Sequence, residues 1–351
     1  MAEAQPKVFK AMINGHGDDI YQYGGIRCNF SSNISPLIDT SPLRQHLAER
    51  LTLINHYPEP DAYSLEVLIA AKHGISPNEV LVTSGATDAI YLIAQTLRDE
   101  GTFAVKRPTF SEYADACRMY GYEEAPQAGA VRWLCNPNNP TGELRTTDTV
   151  KVLSRRHHWL IIDQSYEDYT WEPLLSAQTA IDMQNIIVIH SMTKRFAIPG
   201  LRLGYVIAPS AVIDRLRANY RPWAVNALAI EAGHWLLEDE GEHHSSEEPY
   251  YREEMKLLLA QTRYLHERLR NIFGIHVYPT STSFMLCSIQ QSTAAELKEY
   301  LLAHHGFLIR DASNFEGLKD CHFRIATQLP EFNAELVEAI KTFVYRVKRN
   351  A

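Results

Sequence analysis

Residues His190–Tyr205 read HSMTKRFAIPGLRLGY, and they continue the apolar, β-branched run NIIVIH at 185–190. That run predicts a buried strand, and the stretch after it predicts a loop of small residues with a Pro-Gly pair between Lys194 and Arg202. Lysine is rarely buried without a partner. The stretch is therefore either a solvated surface turn or a place where Lys194 has chemistry to perform.

Outward from this stretch, short apolar strands alternate with amphipathic helical patterns across about residues 80–225. The alternation predicts an α/β large domain with a mostly parallel sheet flanked by helices. After Pro222 the acidic run EDEGEHHSSEEPYYREE, which we interpret as a solvated helix face, leads into a long helical pattern and a second set of strands. The predicted division is an N-terminal arm at 1–40, a large domain at 41–234 and a smaller C-terminal α+β domain at 235–351.

The composition restricts the class of protein. The chain has 351 residues and a formal net charge of -8, and it is 45% hydrophobic and 22% charged, as in a globular enzyme of two domains. The negative charge argues against nucleic acid as a partner. No apolar run reaches the roughly 18 residues of a membrane helix. The N-terminus has no hydrophobic signal core, so we expect a cytoplasmic protein without a membrane partner.

Cysteine and histidine occur without the spacing of disulfide frameworks or metal sites. The five cysteines are scattered and form no CxxC pair, which indicates free thiols in a reducing cytoplasm. The fifteen histidines form no HExxH motif and no cluster with cysteine, so no metal site is predicted.

Unusual clusters fall at the predicted ends of strands, where ligands bind in α/β sheets. The run SGATDA at 84–89 follows a strand and opens a helix, so it either binds a phosphate with its backbone N–H groups or is ordinary helix capping. The run NPNNPTG at 136–142 holds more turn residues than one turn needs. Asp163 ends the apolar run WLIID, where a carboxylate needs a cationic partner.

These features form one chemical set, because a small-residue anion loop, a strand-end aspartate and a strand-end lysine together suit pyridoxal phosphate. Lys194 would form a Schiff base with the cofactor aldehyde. Asp163 would keep the ring nitrogen protonated, so that the ring withdraws electrons from the substrate Cα. The backbone loop and Arg202 would hold the phosphate.

The motifs NPNNPTG, DQSYEDY and SMTKRFAIPGLRLGY, in this order, resemble those of the aspartate-aminotransferase superfamily. This is fold type I of the pyridoxal-phosphate enzymes, with class I/II aminotransferases as members. The resemblance extends from about residue 15 to the C-terminus. It implies a pyridoxal-phosphate-dependent enzyme with a large and a small domain.

Motif by motif, the resemblance implies the role of each matching residue. Catalytic roles fall on Lys194, Asp163 and Tyr166. Cofactor contacts are implied for Ser84, Gly85, Ala86, Phe110, Asn139, Asp163, Tyr166, Ser191, Lys194 and Arg202. Tyr57, in NHYPEPDAY, would reach the cofactor phosphate of a neighbouring subunit, which implies a homodimer with shared sites. Substrate contacts are implied for Arg324, in CHFRIAT, and further candidates are Asn33, Arg310, Asn314 and His16.

Several of these residues also have a purely structural interpretation. Phe110 would then be a core residue, and Tyr57 would pack against a local turn. Arg324 would pair with a structural carboxylate, and His16 would be part of a leader without a role in binding.

Two subfamilies resemble the chain closely: histidinol-phosphate aminotransferase and the threonine-phosphate decarboxylase of cobalamin synthesis. The segments GHGDDIYQYGG, FSSNISPL, MTKRFAIPGLRLGY, PWAVNALA and IRDASNFEGL favour the decarboxylase. The chain departs from that pattern at GHGDD, where a His-Gly-Gly form is expected, and at TQLPEFN, where another basic residue is usual. No second basic cluster for a substrate phosphate is evident in the sequence.

The favoured function is therefore decarboxylation of L-threonine O-3-phosphate. The alternative is amino transfer of the histidinol-phosphate type, with 2-oxoglutarate and glutamate as the partner pair. A remote alternative is a protein that binds pyridoxal phosphate without turnover.

Overall fold

A computed structural model of the protein describes residues 18–242 and 251–350. His16 lies outside the described residues, as does most of the GHGDD segment. Within the described ranges the strands are β1 Cys28–Asn29, β2 Val80–Thr83, β3 Thr102–Val105, β4 Glu123–Glu124, β5 Val131–Cys135, β6 Trp159–Asp163, β7 Ile186–Ser191, β8 Gly204–Ile207, β9 Ile275–Val277, β10 Phe284–Ile289, β11 Phe307–Leu308, β12 Arg310–Asp311 and β13 His322–Ala326.

The helices of the same ranges begin and end as follows: α1 Ser41–Glu49, α2 Tyr63–His73, α3 Gly85–Thr96, α4 Glu112–Met119, α5 Thr147–Ser154, α6 Ala177–Asp182, α7 Met192–Arg195, α8 Ser210–Arg217, α9 Ala227–Glu242, α10 Tyr251–Arg270, α11 Ala294–His305 and α12 Pro330–Asn350. None of these helices combines the length and apolar character that a membrane span requires.

The larger sheet has seven strands in the order β2-β8-β7-β6-β5-β3-β4. Its neighbours are parallel except at β8, which pairs antiparallel with both β2 and β7. The central strands β6 and β7 are buried on both faces and rich in isoleucine, as expected for strands that helices cover on each side. The sequence-based prediction of a mostly parallel α/β sheet is confirmed.

The sequence analysis did not predict strand β8, because its short run GYVI directly follows the loop that contains Pro199 and Arg202. Gly204 begins this strand at a point where the backbones of three segments converge. A Cβ atom there would lie 2.8 Å from the His190 carbonyl oxygen and 2.9 Å from the Ala86 nitrogen. Only glycine therefore lets β8 insert between β2 and β7 beside the start of α3.

A smaller C-terminal unit contains a four-stranded antiparallel sheet in the order β12-β13-β10-β9. Helices α10, α11 and α12 pack around it, and Leu265, Leu301 and Ile340 are buried in its core. Helix α10 also places Leu258 in the core of the large sheet. One long helix thus joins the two cores.

The chain near its N-terminus is part of this smaller core. Strand β1 pairs in parallel with β11, and the next residue, Phe30, packs edge-on against Phe307 with ring centroids 5.4 Å apart. Both rings are fully buried. This packing carries Ser31–Ser35 to the edge of the large sheet. The division at residues 40 and 234 stays a prediction; residue 234 lies inside α9, whose Ile230 and Leu236 pack with Leu65.

Candidate active site

A cavity of about 610 Å³ lies where the carboxyl ends of β2, β5, β6 and β7 meet the segment after β1 and strand β13. Parallel strands bring their carboxyl ends to one edge, so motifs distant in sequence converge there. Ten of the residues named from sequence line the cavity: Asn33, Ala86, Phe110, Asn139, Asp163, Tyr166, Ser191, Lys194, Arg202 and Arg324.

The Asp163 carboxylate is buried at the last position of β6. Its Oδ2 accepts a hydrogen bond of 2.7 Å from the Tyr113 hydroxyl, and its Oδ1 accepts one of 2.9 Å from the Ser165 N–H. A buried carboxylate needs such donors, since burial without partners is costly. A carboxylate accepts more than two hydrogen bonds, so Asp163 can also bind a protonated nitrogen in the cavity.

Lys194 lies in the short helix α7, directly after β7, and its side chain borders the cavity. The surrounding protein desolvates the amino group, and together with the Arg324 guanidinium it lowers the pKa of Lys194 to about 8. The carboxylates of Asp18 and Asp163 act in the opposite direction. A lysine with a lowered pKa is more often neutral near pH 8 and so more nucleophilic.

Gly85 and Arg202 form one corner of the cavity. Gly85 begins α3 with φ of +81°, and a Cβ atom on it would lie 2.6 Å from Arg202 Nη2. The Arg202 guanidinium therefore sits over the first turn of α3, whose N–H groups have no partner within the helix. A cation over a helix N-terminus is a site suited to a phosphate group.

Arg324 projects from β13 and connects three segments. Its two Nη groups donate hydrogen bonds to Asn139 Oδ1 and to the Ser31 carbonyl oxygen. Asn33, two residues further, donates a 3.2 Å hydrogen bond to the Tyr166 hydroxyl, whose pKa burial raises to about 12. The structural carboxylate considered as a partner for Arg324 is not among its described hydrogen bonds.

Three buried polar atoms of cavity residues have no hydrogen-bond partner among the described residues: Asn33 Oδ1, Ser165 Oγ and Arg324 Nε. Buried polar groups are nearly always hydrogen-bonded, so these atoms indicate that a polar ligand completes the site. The Gly85–Arg202 corner, the acceptor at Asp163 and the amino group of Lys194 together fit pyridoxal phosphate.

Ser84, Arg310, Asn314 and Tyr57 were also named from sequence but are not among the residues that line the cavity. Ser84 precedes α3 and its N–H donates to Asp88 Oδ2. Arg310 lies opposite Arg324 on the adjacent strand β12, and its Nη2 donates a 2.7 Å hydrogen bond to Asn314 Oδ1. Tyr57 is 84% exposed and packs on Trp223, with ring centroids 5.2 Å apart.

Among the cavity residues that sequence reasoning missed are Tyr113, Glu112 and Asp18. Tyr113 donates to Asp163, and the only sequence signal was its place three residues after Phe110 in TFSEY. Glu112 accepts a 2.7 Å hydrogen bond from Tyr91 at the cavity wall. Asp18 lines the cavity with φ of +67° and accepts a 2.6 Å hydrogen bond from Asn29. Its position in GHGDD was noted only as a departure from a motif.

The fold and this cavity define a class of proteins, the fold type I enzymes that use pyridoxal phosphate. Residues 28–128 and 121–340 match the family described as aminotransferase class I and II. The chain belongs to this family and is a pyridoxal-phosphate-dependent enzyme with a small-molecule substrate.

Individual relatives carry two different names. The chain is 36% identical to L-threonine-O-3-phosphate decarboxylase from Porphyromonas gingivalis, whose crystal structure it matches with a TM-score of 0.83 over 91% of this chain and 99% of that one. It is 29% identical to threonine-phosphate decarboxylase from Salmonella typhimurium over 89% of this chain and 90% of that one. It is 26% identical to histidinol-phosphate aminotransferase from Thermoanaerobacter sp. over 82% of this chain and 84% of that one.

The lowered pKa of Lys194 predicts a pH-dependent reaction with the cofactor. Cofactor-free protein is mixed with pyridoxal phosphate at a series of pH values, reduced with borohydride and digested for mass spectrometry. We expect labelling of Lys194 to rise with pH around a midpoint of about 8, because the neutral amine is the nucleophile. Lys194→Ala is the control for labelling at other lysines. A midpoint at the ordinary lysine value would contradict the desolvated environment.

A second prediction concerns the corner at Gly85. Gly85→Ala forces Arg202 away from α3, whereas Gly74→Ala changes another glycine with positive φ whose Cβ position is open. Both variants strain the backbone, but only Gly85→Ala should weaken pyridoxal-phosphate binding, by about tenfold or more because a charge-assisted contact is lost. Fluorescence titration of cofactor-free protein measures the affinity. Equal affinities in the two variants would remove this corner from the phosphate site.

Proposed function

We propose that the enzyme decarboxylates L-threonine O-3-phosphate. The observation that carries this proposal is a pair of arginines on adjacent strands. In the antiparallel register of β12 and β13, Arg310 lies directly opposite Arg324. Both are buried, and burial together with the charge of Arg324 lowers the pKa of Arg310 to about 10. Two adjacent guanidinium groups suit a substrate with two acidic groups, here a carboxylate and a phosphate.

The relatives support the same choice. The decarboxylases from Porphyromonas gingivalis and Salmonella typhimurium resemble the chain over nine-tenths of its length, and the identity to the first is 36%. The segments FSSNISPL and MTKRFAIPGLRLGY favoured this subfamily from sequence. In the structure both segments border the cavity.

The residues that the sequence analysis assigned to the cofactor have the following roles in this proposal. Lys194 would bind the cofactor aldehyde and move the proton at the substrate Cα, and Asp163 would accept the hydrogen bond of the protonated ring nitrogen. When bound, the cofactor supplies an electron-withdrawing ring for the electron pair of the broken bond. Asn139 and Tyr166 would contact the ring oxygen, and Phe110 would pack on the ring. The phosphate is held by Ser84, Gly85, Ala86, Ser191 and Arg202.

The placement of the substrate carboxylate decides which bond breaks. The Nε–H of Arg324 has no partner among the described residues, and its two Nη groups each donate one hydrogen bond, to Asn139 and to Ser31. A carboxylate bound here is fixed relative to Lys194, and small shifts in such placement change rates greatly. Arg310, opposite Arg324 on the adjacent strand, and its partner Asn314 are the groups that we assign to the substrate phosphate, with Asn33 at the cavity wall.

Amino transfer of the histidinol-phosphate type is the second candidate. The histidinol-phosphate aminotransferase from Thermoanaerobacter sp. is 26% identical to the chain. The same lysine, aspartate and arginine would serve a reaction in which a Cα–H bond breaks instead. The residues that hold the cofactor therefore do not distinguish the two reactions, whereas the products do.

A product assay tests the proposal. Purified enzyme with O-phospho-L-threonine and no keto acid should release CO2 and aminopropanol phosphate. In parallel, histidinol phosphate with 2-oxoglutarate should give no glutamate. Lys194→Ala should abolish CO2 release, and Arg310→Gln should raise KM about tenfold or more, since a buried charged contact is lost. Arg310→Lys, which keeps the charge, is the matched control. Glutamate formation without CO2 would establish the aminotransferase instead.

We also propose a homodimer in which Tyr57 reaches the cofactor phosphate of the partner. The support is exposure: Tyr57 is 84% exposed, and Ile54, Leu51 and Trp223 nearby in sequence or space are each about half exposed or more. Large exposed apolar side chains grouped on one surface are typical of an interface. Tyr57 is not among the residues that line its own chain's cavity. A cytoplasmic location stays a prediction from the N-terminal sequence and from the five cysteines, which are all free thiols.

The dimer can be tested by mixing two variants. Tyr57→Ala and Lys194→Ala should each have little activity. When the subunits are exchanged in equal amounts, activity should recover to about a quarter of wild type, because half of the dimers are mixed and each has one intact site. If Tyr57 served its own chain, no mixed site would be intact and activity would not recover. A mass of one 40.0 kDa chain in light scattering would also contradict the dimer.

A further inference from the structure

One buried hydroxyl connects the lysine helix to the N-terminal segment. The Tyr169 hydroxyl donates a 2.8 Å hydrogen bond to the Lys194 carbonyl oxygen. The oxygen of the Tyr169 hydroxyl in turn accepts a 3.0 Å hydrogen bond from the Ser35 N–H. Tyr169 is 1% exposed and does not line the cavity. Its hydroxyl therefore touches neither cofactor nor substrate, yet it contacts both sides of the site.

On the lysine side, the contact is part of a set of three. Glu167 Oε1 lies 2.8 Å from His190 Nδ1, and Asp168 accepts a 3.3 Å hydrogen bond from Arg195. Glu167, Asp168 and Tyr169 are thus three consecutive residues that each contact the segment 190–195. Of the three, Tyr169 bonds the backbone of Lys194 itself.

On the N-terminal side, Ser35 lies two residues after Asn33, whose amide donates to the Tyr166 hydroxyl. The rings of Tyr166 and Tyr169 are neighbours, with centroids 6.4 Å apart. The N-terminal segment is thus attached at two points to two tyrosines of one loop. Through the second point, the position of Asn33 at the cavity wall depends on the position of Lys194.

A tyrosine hydroxyl suits this junction because it donates one hydrogen bond and accepts others. Burial raises the pKa of Tyr169, so the hydroxyl keeps the proton that it donates to Lys194. Without the oxygen, the buried Ser35 N–H would lose its partner and the Lys194 carbonyl would lose a donor. An unsatisfied buried group is costly, so the two segments would shift apart or admit water.

We propose that Tyr169 is a positioning residue that holds Lys194 and the segment Ser31–Ser35 at a fixed separation. This inference rests on the proposed role of Lys194 in binding the cofactor. It assigns no chemical step to Tyr169. It predicts that removing one oxygen changes the site more than its loss of stability explains.

The test compares two matched substitutions in the holoenzyme. Tyr169→Phe removes the junction, and Tyr122→Phe removes another buried hydroxyl, which donates a 2.9 Å hydrogen bond to the Ala94 carbonyl oxygen away from the cavity. We expect similar small losses of Tm in both. Only Tyr169→Phe should weaken cofactor binding and shift the pH midpoint of the bound cofactor's absorption. Only this variant should also lower kcat/KM, by about ten- to a hundredfold.

The outcomes separate this inference from the proposed function. Cofactor affinity and absorption need no substrate, so they decide the role of Tyr169 even if wild-type enzyme turns over neither substrate. Tyr169→Phe equal to Tyr122→Phe in all three measurements would overturn the positioning role. If Tyr169→Phe does not fold, Ser35→Pro removes the N–H donor instead, with Ser35→Ala as its control. Ser35→Pro equal to Ser35→Ala would overturn the proposal in the same way.

Discussion

The burial of the Asp163 carboxylate is the constraint on which the site depends. A buried carboxylate is tolerated only with donors around it, and these come from Tyr113 in α4 and from the turn that follows β6. The turn must therefore bend tightly at Ser165, which places Tyr166 beside the cavity. The neighbouring strands β5 and β7 end at the same edge, so Asn139 and Lys194, which follow them, line the same cavity as Asp163.

A second constraint is that the site is shared between two cores. Arg324 comes from the smaller sheet, and Asn139 and Tyr166 come from the larger one. The segment from Ser31 to Ser35 joins them, since Phe30 is buried in the small core while Asn33 contacts Tyr166. Any movement of the small unit relative to the large sheet would therefore displace residues at the cavity wall.

Much of this arrangement could be predicted, because it depends on local patterns and one general rule. Apolar, β-branched runs predicted β5, β6 and β7, and parallel strands must place their ends on one edge. That rule alone brings Asp163 and Lys194 together. Strand β8 escaped prediction because four residues after a Pro-Gly turn are too short to show a period. Tyr113 escaped because its partner, Asp163, lies fifty residues away along the chain.

The sequence by itself determined the class of sheet, the edge that binds ligands and the cofactor, since these follow from local hydrophobic patterning and from motifs read in order. Only the tertiary structure decided which distant side chains face one another. Arg310 and Arg324 are fourteen positions apart and showed no basic cluster, yet the antiparallel register makes them neighbours. The Tyr169 junction and the exposure of Tyr57 are likewise results of packing, because hydrogen-bond partners and burial depend on contacts that sequence distance does not encode.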